Sequence, residues 1–371
     1  KGPEGEWTYP VRNGLASIGD GEGCALYPKP VGRLVLPSSL GGVSIVGVSR
    51  AAFAECHGLK AVQIPEGYHT LERDAFRGCA EMVEVSLPES LARIGNYVFH
   101  GTRIARLDLK NVVEVGDVFF AGLCELDDVT CSSRCCLRRL DNGVLVSRDG
   151  KCLCFYPRKR KMCLLPDGVE EIGNFAFFGS SIEKLSLPSR IRKIGCNAFR
   201  RCERLREVVF QGTAVVVEEK SFYDNPALER VEFPAGFRSL NAWATFGSCP
   251  SLEEIVLPDA LEEIGPGVFE KNVKLKRVRF GTRLKSLGYR SFAGCLALEE
   301  VTIPASVRTM HPEVFRDCTS LRRVTFEGDA PRLLDNGEEQ RGVDQFLGTD
   351  KELEVVVSPG SHGWARDGSS T

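Results

Sequence analysis

The amino-acid sequence predicts a right-handed solenoid of stacked parallel strands, mostly β with short turns or 3-10 segments. Three observations carry that expectation. Phenylalanine recurs at 53, 76, 99, 120, 177, 199, 222, 246, 269, 292 and 315, and most gaps run from 22 to 24 residues. Three residues after many of them comes a cysteine (Cys56, Cys79, Cys202, Cys249, Cys295, Cys318), with Asn225 and Asn272 in two repeats. A short segment of the form Leu-x-x-Val-x-Leu-Pro then follows, as in Leu59, Val62, Ile64, Pro65 and again Leu298, Val301, Ile303, Pro304.

Each part of the unit has a physical reading. The Leu-x-x-Val segment alternates apolar and polar residues, so it is a strand with one buried face. The proline stops it. An Ile-Gly pair such as Ile94-Gly95, Ile172-Gly173, Ile194-Gly195 or Ile264-Gly265 marks a second short extended piece before the Phe. No unit of this size can bury its own apolar side, so about eleven 23-residue units must stack on one another with the phenylalanines in a column.

The unit Leu-x-x-Val-x-Leu-Pro-x-x-Leu-x-x-Ile-Gly-x-x-Ala-Phe-x-x-Cys resembles the BspA-like, or Treponema-type, leucine-rich-repeat family. The opening Trp7-Thr8-Tyr9-Pro10-Val11-Arg12-Asn13-Gly14 and the stretch Leu36-Pro37-Ser38-Ser39-Leu40-Gly41-Gly42 are similar to the start of such domains. The ending Val355-Val356-Val357-Ser358-Pro359-Gly360-Ser361, with Trp364, is similar to their close. The resemblance implies a leucine-rich-repeat solenoid and a trade in protein contacts, on a microbial cell surface or in secreted form and in adhesion, with no single activity.

The expected layout is an N-terminal cap over 1–45, repeats 1–4 over 46–131, a hairpin insertion over 132–163, repeats 5–11 over 164–328 and a C-terminal cap over 329–371. Caps are needed because a bare solenoid end exposes apolar side chains and strand edges. The insertion explains the long step from Phe120 to Phe177. Asp149-Gly150 supplies a two-residue turn between strands carrying Val144 and Val146 and then Cys152 and Cys154. Such a hairpin is expected to stand off the solenoid or to cover one face.

Seven of the 15 cysteines gather around it: Cys124, Cys131, Cys135, Cys136, Cys152, Cys154 and Cys163. Zinc, one or more disulfides, or plain buried thiols all fit this composition. There is no Cys-x-x-Cys pair, which weakens zinc, and free cysteine packs as a small hydrophobe. The repeat-position cysteines read as structural, satisfying backbone groups of the loops. Arg158-Lys159-Arg160-Lys161 could attract a polyanion, but four residues on one loop of a near-neutral chain read better as solvated.

Outward strand residues divide the chain. One column runs Lys184, Glu207, Arg230, Glu254, Arg277, Glu300, Arg323 with strictly alternating sign. Its neighbour runs Glu183, Arg206, Glu229, Glu253, Lys276, Glu299, Arg322 with one break. Parallel stacking places each charge beside opposite charges, so this is a structural ladder that sets register. The first four units have no such alternation. There the outward Lys60, Gln63, Glu84, Ser86, Arg106, Asp108, Asp128 and Thr130 are free to serve a ligand, and these are the candidate binding residues.

Composition excludes several classes. Lys plus Arg (48) nearly balance Asp plus Glu (50), for a net charge of −2, which disfavours nucleic acid as a partner. No uncharged apolar run approaches the ~20 residues of a membrane helix, so no membrane insertion is expected. The first residues hold neither Met nor an apolar signal core, which reads as a mature or trimmed chain. The histidines 57, 69, 100, 311 and 362 join no nucleophile motif, and there is no phosphate loop, dinucleotide fingerprint or His-Glu-x-x-His. The expectation is a monomeric, non-catalytic protein-binding module with no cofactor and a protein partner at the cell surface or outside the cell. The alternatives are a structural spacer presenting another domain and an intracellular scaffold.

Overall fold

A Leu-x-x-Val strand buries its first and fourth residues, and in the computed structural model the strand Leu59–Gln63 does so, with Leu59 and Val62 inside and Lys60 and Gln63 outside. The structure describes residues 5–21, 23–333, 346–349 and 352–363. Trp364 of the closing motif, and much of the expected C-terminal cap, lie outside the described residues. The described residues form a parallel-strand β-solenoid with no helix among them. The loops between strands are runs of turns rather than 3-10 helix. Contacts divide the chain into two compact units. Lys1–Lys159 with Gly173–Phe178 make one, and Arg160–Ile172 with Gly179–Thr371 the other.

In the first unit, one parallel ladder runs through Leu15–Ile18, Val43–Val48, Thr70–Leu71, Arg93–Ile94 and Glu114–Val115. A second joins Gly32–Val35, Leu59–Gln63 and Glu84–Ser86, and a separate pair joins Arg106–Asp108 to Asp128–Thr130. Parallel pairing thus begins at Leu15 and Gly32, before the first phenylalanine of the period. In the second unit the Leu-x-x-Val strands pair in three groups. These are Lys184–Leu187 with Glu207–Phe210 and Arg230–Glu232, then Glu254–Val256 with Arg277–Arg279, then Glu300–Ile303 with Arg323–Phe326 and Glu354–Val357.

A third side of each unit is made by the turn around the Phe. Residues two before and two after it sit in the left-handed region, as Ala51 (φ 55°) and Glu55 (φ 57°) do around Phe53. The N–H groups of 51, 53 and 55 then donate to the carbonyls of Arg73, Ala75 and Arg77 in the next unit at 2.7–3.1 Å. The alternate N–H groups, of 52, 54 and 56, bond back inside their own turn. The same pattern recurs around Phe246, where 244, 246 and 248 donate to Pro266, Val268 and Glu270. Left-handed geometry costs a non-glycine residue roughly 1–2 kcal/mol. Here it lets every second amide reach the neighbouring unit, where burial would otherwise leave it unpaired.

The Ile-Gly signature has a steric origin. A Cβ on Gly95 would lie 2.7 Å from the Arg73 nitrogen, and one on Gly288 would lie 2.5 Å from the Gly265 carbonyl carbon. The second short strand therefore sits hard against the backbone of the unit before it.

The phenylalanines stack. In the second unit Phe199, Phe222, Phe246, Phe269, Phe292, Phe315 and Phe346 follow one another with ring centroids 4.9–6.0 Å apart and planes within 19°. In the first unit Phe53, Phe76 and Phe99 stack likewise, and then the column changes. The ring beside Phe99 belongs to Phe119, edge-on at 6.3 Å, and Phe120 turns towards Phe155 at 5.3 Å.

Phe155 belongs to the hairpin, whose strands Leu145–Ser147 and Cys152–Phe155 run antiparallel, with Leu137–Arg139 on the far side of the first. Val144, Leu145, Val146, Leu153, Phe155 and Tyr156 are all buried, and Tyr156 stacks on Phe177 at 4.5 Å. The hairpin does not stand off. It fills the column across the gap in the period, with Phe155 against Phe120 and Tyr156 against Phe177.

Candidate interaction face

The eight candidate residues lie where strand alternation puts them, pointing away from the core: seven are exposed and Asp128 is half-buried. In register, Glu84 stands opposite Ala61 and Ser86 opposite Gln63, so neither meets an opposite charge directly. Arg106 stands opposite Asp128, and Asp108 opposite Thr130. The structure therefore gathers Gln63 with Ser86 in one paired block and Arg106, Asp108, Asp128 and Thr130 in another.

Their charges are spent unevenly. Lys60 reaches Glu81 at 3.6 Å, and Arg33 reaches across Ala61 to Glu84 at 3.9 Å. Asp108 is held at 2.8 Å by Lys110. Asp128 turns away from Arg106 to Arg139, the last residue of a hairpin strand, at 2.9 Å. Asp127 is met by Lys159, whose backbone N–H donates to it at 3.0 Å. Both aspartates thus have partners that no column along the strands supplies. Arg106 makes no ion pair among the described residues.

The ladder residues of the second unit behave differently. Lys184 and Glu207 approach to 2.9 Å, and Arg230 to Glu207 at 3.8 Å. Arg277 lies 3.2 Å from Glu254, and Arg323 lies 3.6 Å from Glu300 and 2.9 Å from Glu354. In the neighbouring column Arg206 pairs with Glu229 and Lys276 with Glu253. The pairs fall inside the three groups of strands, so the alternation in sequence becomes three blocks in space. The hydrogen bond from Lys184 holds Glu207 below the usual carboxylate range, and that from Lys276 does the same for Glu253.

A cavity of about 320 Å³ opens where the hairpin meets the last candidate strand. Cys131, Ser132, Cys135, Arg138, Arg139 and Arg148 are on its wall. Arg148 donates to the carbonyls of Arg134 and Cys135, and Arg139 to that of Val129, so two guanidiniums are fixed by backbone. Reasoning from sequence misses this arginine-lined wall. Its signal is the paired arginine after a single apolar residue in Leu137-Arg138-Arg139, where Leu137 is inside and both arginines are exposed.

The cysteines are thiols rather than disulfides. Cys79, Cys249, Cys295 and Cys318 are buried, and each gives its thiol to the carbonyl of the Phe one unit earlier, Phe53, Phe222, Phe269 and Phe292, at 3.2–3.4 Å. Burial pushes Cys79, Cys249 and Cys318 up to about 12, so they do not ionise in neutral water. Asn225 and Asn272 take the same place, accepting from the N–H of Cys202 and Cys249 at 2.7 Å. Around the hairpin, burial raises Cys131 and pushes Cys163 up to about 12. Among the described residues no three His, Cys, Asp or Glu side chains converge as metal ligands would. Of the basic run, Arg158 is buried with its guanidinium 5.6 Å from the Phe178 ring, so it is no surface charge.

The histidines of the first unit serve the backbone. His57, His69 and His100 each set Nδ1 against a backbone carbonyl of the next unit, those of Gly78, Ser90 and Ala121, at 2.9–3.2 Å. No described helix is long and apolar enough to cross a membrane.

Comparison with known proteins agrees with this architecture. The family model described as "BspA type Leucine rich repeat region" matches residues 44–143, 153–244 and 244–332, in six copies. Among solved structures, a leucine-rich repeat protein from Eubacterium ventriosum aligns at 17% identity, covering 88% of this chain and 95% of that one, with a TM-score of 0.59. A leucine-rich cell surface protein from Faecalibacterium prausnitzii aligns at 19% identity, covering 88% and 94%, with a TM-score of 0.50. The pneumococcal vaccine antigen PcpA aligns at 14% identity, covering 95% and 99%, also with a TM-score of 0.50. At these identities the likeness is one of fold. No curated protein matches the chain.

Proposed function

This chain belongs to the BspA-type leucine-rich repeat family, and from that premise we propose that it is a non-catalytic protein-binding module acting in adhesion at a microbial cell surface or in secreted form. Its docking face is the outward strand surface of the first unit. The observation that carries this is the contrast in charge pairing. Outward charges of the second unit pair with opposite charges at matching register, whereas in the first Glu84 stands opposite Ala61, and Arg106 faces an Asp128 already taken by Arg139. A partner that brings its own charges gains most where the solenoid has not already neutralised its own. The partner class is a host-matrix or neighbouring-cell surface protein.

The test is binding of the chain to immobilised matrix and cell-surface protein preparations. Combined reversal at Glu84→Lys, Arg106→Glu and Asp128→Arg is expected to weaken binding at least about tenfold, a loss of ~1.4 kcal/mol. Exchanging Lys184 and Glu207 leaves binding unchanged. Equal binding by the triple variant overturns the assignment of the face. A structural spacer is the second reading, favoured by the self-paired charges of the second unit; a spacer tolerates every such reversal and fails only when shortened.

A further inference from the structure

Four of the six repeat cysteines obey one rule, and the first of the six breaks it. Cys79, Cys249, Cys295 and Cys318 each bond the carbonyl of the Phe in the unit before. Cys56 follows the first Phe of the column, so no earlier Phe carbonyl exists for it. Its Sγ faces the Sγ of Cys24 instead, 3.5 Å away. Cys24 lies 32 positions earlier, beside the strand Leu26–Tyr27, which pairs with Glu6–Trp7. Trp7 packs edge-on against Phe53, and the Ala25 N–H donates to the Ala52 carbonyl at 2.7 Å, so both thiols sit on a backbone already joined around them.

We propose that Cys24 and Cys56 are a redox-active dithiol that closes to a disulfide when the protein meets a small-molecule disulfide such as glutathione disulfide. The chemistry is two successive exchanges. The Cys24 thiolate attacks one sulfur of the small disulfide, forming a mixed disulfide and expelling one thiolate. Cys56 then loses its proton and its sulfur attacks that of Cys24, expelling the second thiolate. Two protein thiols and one small disulfide become one protein disulfide and two small thiols, so the two electrons go to the reagent.

The two residues are suited to these separate roles. Cys24 is half-buried and accessible to a reagent, while Cys56 is 1% exposed. Hydrogen bonding to the Cys56 sulfur lowers Cys24, and Lys29 adds to this, which favours Cys24 over Cys56 as the attacking sulfur. That same bond, with burial, raises Cys56 and makes it the resolving thiol. A disulfide needs its sulfurs about 2.05 Å apart, so closure must bring them nearer than the observed 3.5 Å. Closure would tie the first strands of the chain to the first Phe turn, where Trp7 rather than a phenylalanine meets Phe53.

The experiment treats the full chain with glutathione disulfide, alkylates the remaining thiols under denaturing conditions, and reads intact mass and linked peptides. The expected result is a loss of two alkylatable thiols from the fifteen, with Cys24 and Cys56 in one linked peptide pair and slower proteolysis of the first thirty or so residues. Cys24→Ser keeps all its other thiols alkylatable, and Cys131→Ser still loses two. Fifteen thiols after treatment, a stable glutathione adduct on Cys24, or a linked pair elsewhere overturns the proposal. Because Cys24 is only half-buried, its serine variant stays folded even if Cys56→Ser does not.

Discussion

In the unit built from Arg160–Ile172 and Gly179–Thr371, outward charges on paired strands meet opposite charges at the same register, Lys184 against Glu207 and Arg323 between Glu300 and Glu354. In the other unit the matching positions hold Glu84 against Ala61 and Ser86 against Gln63, and Asp128 is taken by an arginine from the hairpin. The aromatic columns differ in the same sense. One is a regular stack from Phe199 to Phe346, while the other swings from Phe99 to Phe119 and then relies on Phe155 and Tyr156. A regular repeat satisfies itself. An irregular one must borrow partners from outside the period, and it leaves surface groups uncommitted where it does so.

The largest test of that contrast is in the core. Phe246→Ala removes a ring stacked on both sides, and Phe155→Ala removes the ring that the hairpin lends to the first unit. Both are buried, so each is expected to cost about 3–5 kcal/mol of unfolding free energy, read by urea denaturation. A hairpin that merely covered the solenoid would give Phe155→Ala the small cost of a surface change, within about 0.5 kcal/mol.

Acid should act next. Glu207 and Glu253 have folded-state values depressed by hydrogen bonds from Lys184 and Lys276. A depressed carboxylate contributes stability that is fully present above its unfolded value, near the ordinary 4.5, and is lost as pH falls through the lower folded value. Thermal unfolding followed downward from pH 5 is therefore expected to show a falling midpoint that Glu207→Gln and Glu253→Gln together flatten. Raised salt should blunt the effect, because these pairs face water.

The smallest effect is the pairwise coupling itself. A double-mutant cycle on Lys184 and Glu207 is expected to give under ~1 kcal/mol, since Lys184 is largely exposed. The same cycle on Glu84 and Arg106 should give a coupling indistinguishable from zero. A coupling as large in the first unit as in the second would erase the distinction on which the docking face rests.

Much of the architecture is legible in the order of residues. The Phe spacing, the Ile-Gly pairs and the Cys or Asn after each Phe describe local geometry, and local geometry repeats. Ile94 and Gly95 lie where the pair predicts, and Cys79, Cys295 and Cys318 satisfy loop carbonyls as a small polarisable side chain can. The candidate face is legible only as a set of outward residues. That Arg139 claims Asp128, or that Arg33 reaches Glu84, depends on neighbours brought together by the hairpin and the first strands, where the period gives no guide.

By itself, then, the sequence determined the repeat, the inward residues, the strand faces and the sign of each outward charge, because side-chain alternation and a 23-residue period follow from backbone geometry alone. Tertiary structure decided three things. It broke one alternating column into blocks, because not every pair of successive strands hydrogen-bonds. It drew the hairpin rings into the core, since an aromatic stack gains from a neighbour on each side whatever its place in the chain. It set Cys24 against Cys56, because the strands before Phe53 carry no phenylalanine whose carbonyl could take the Cys56 thiol.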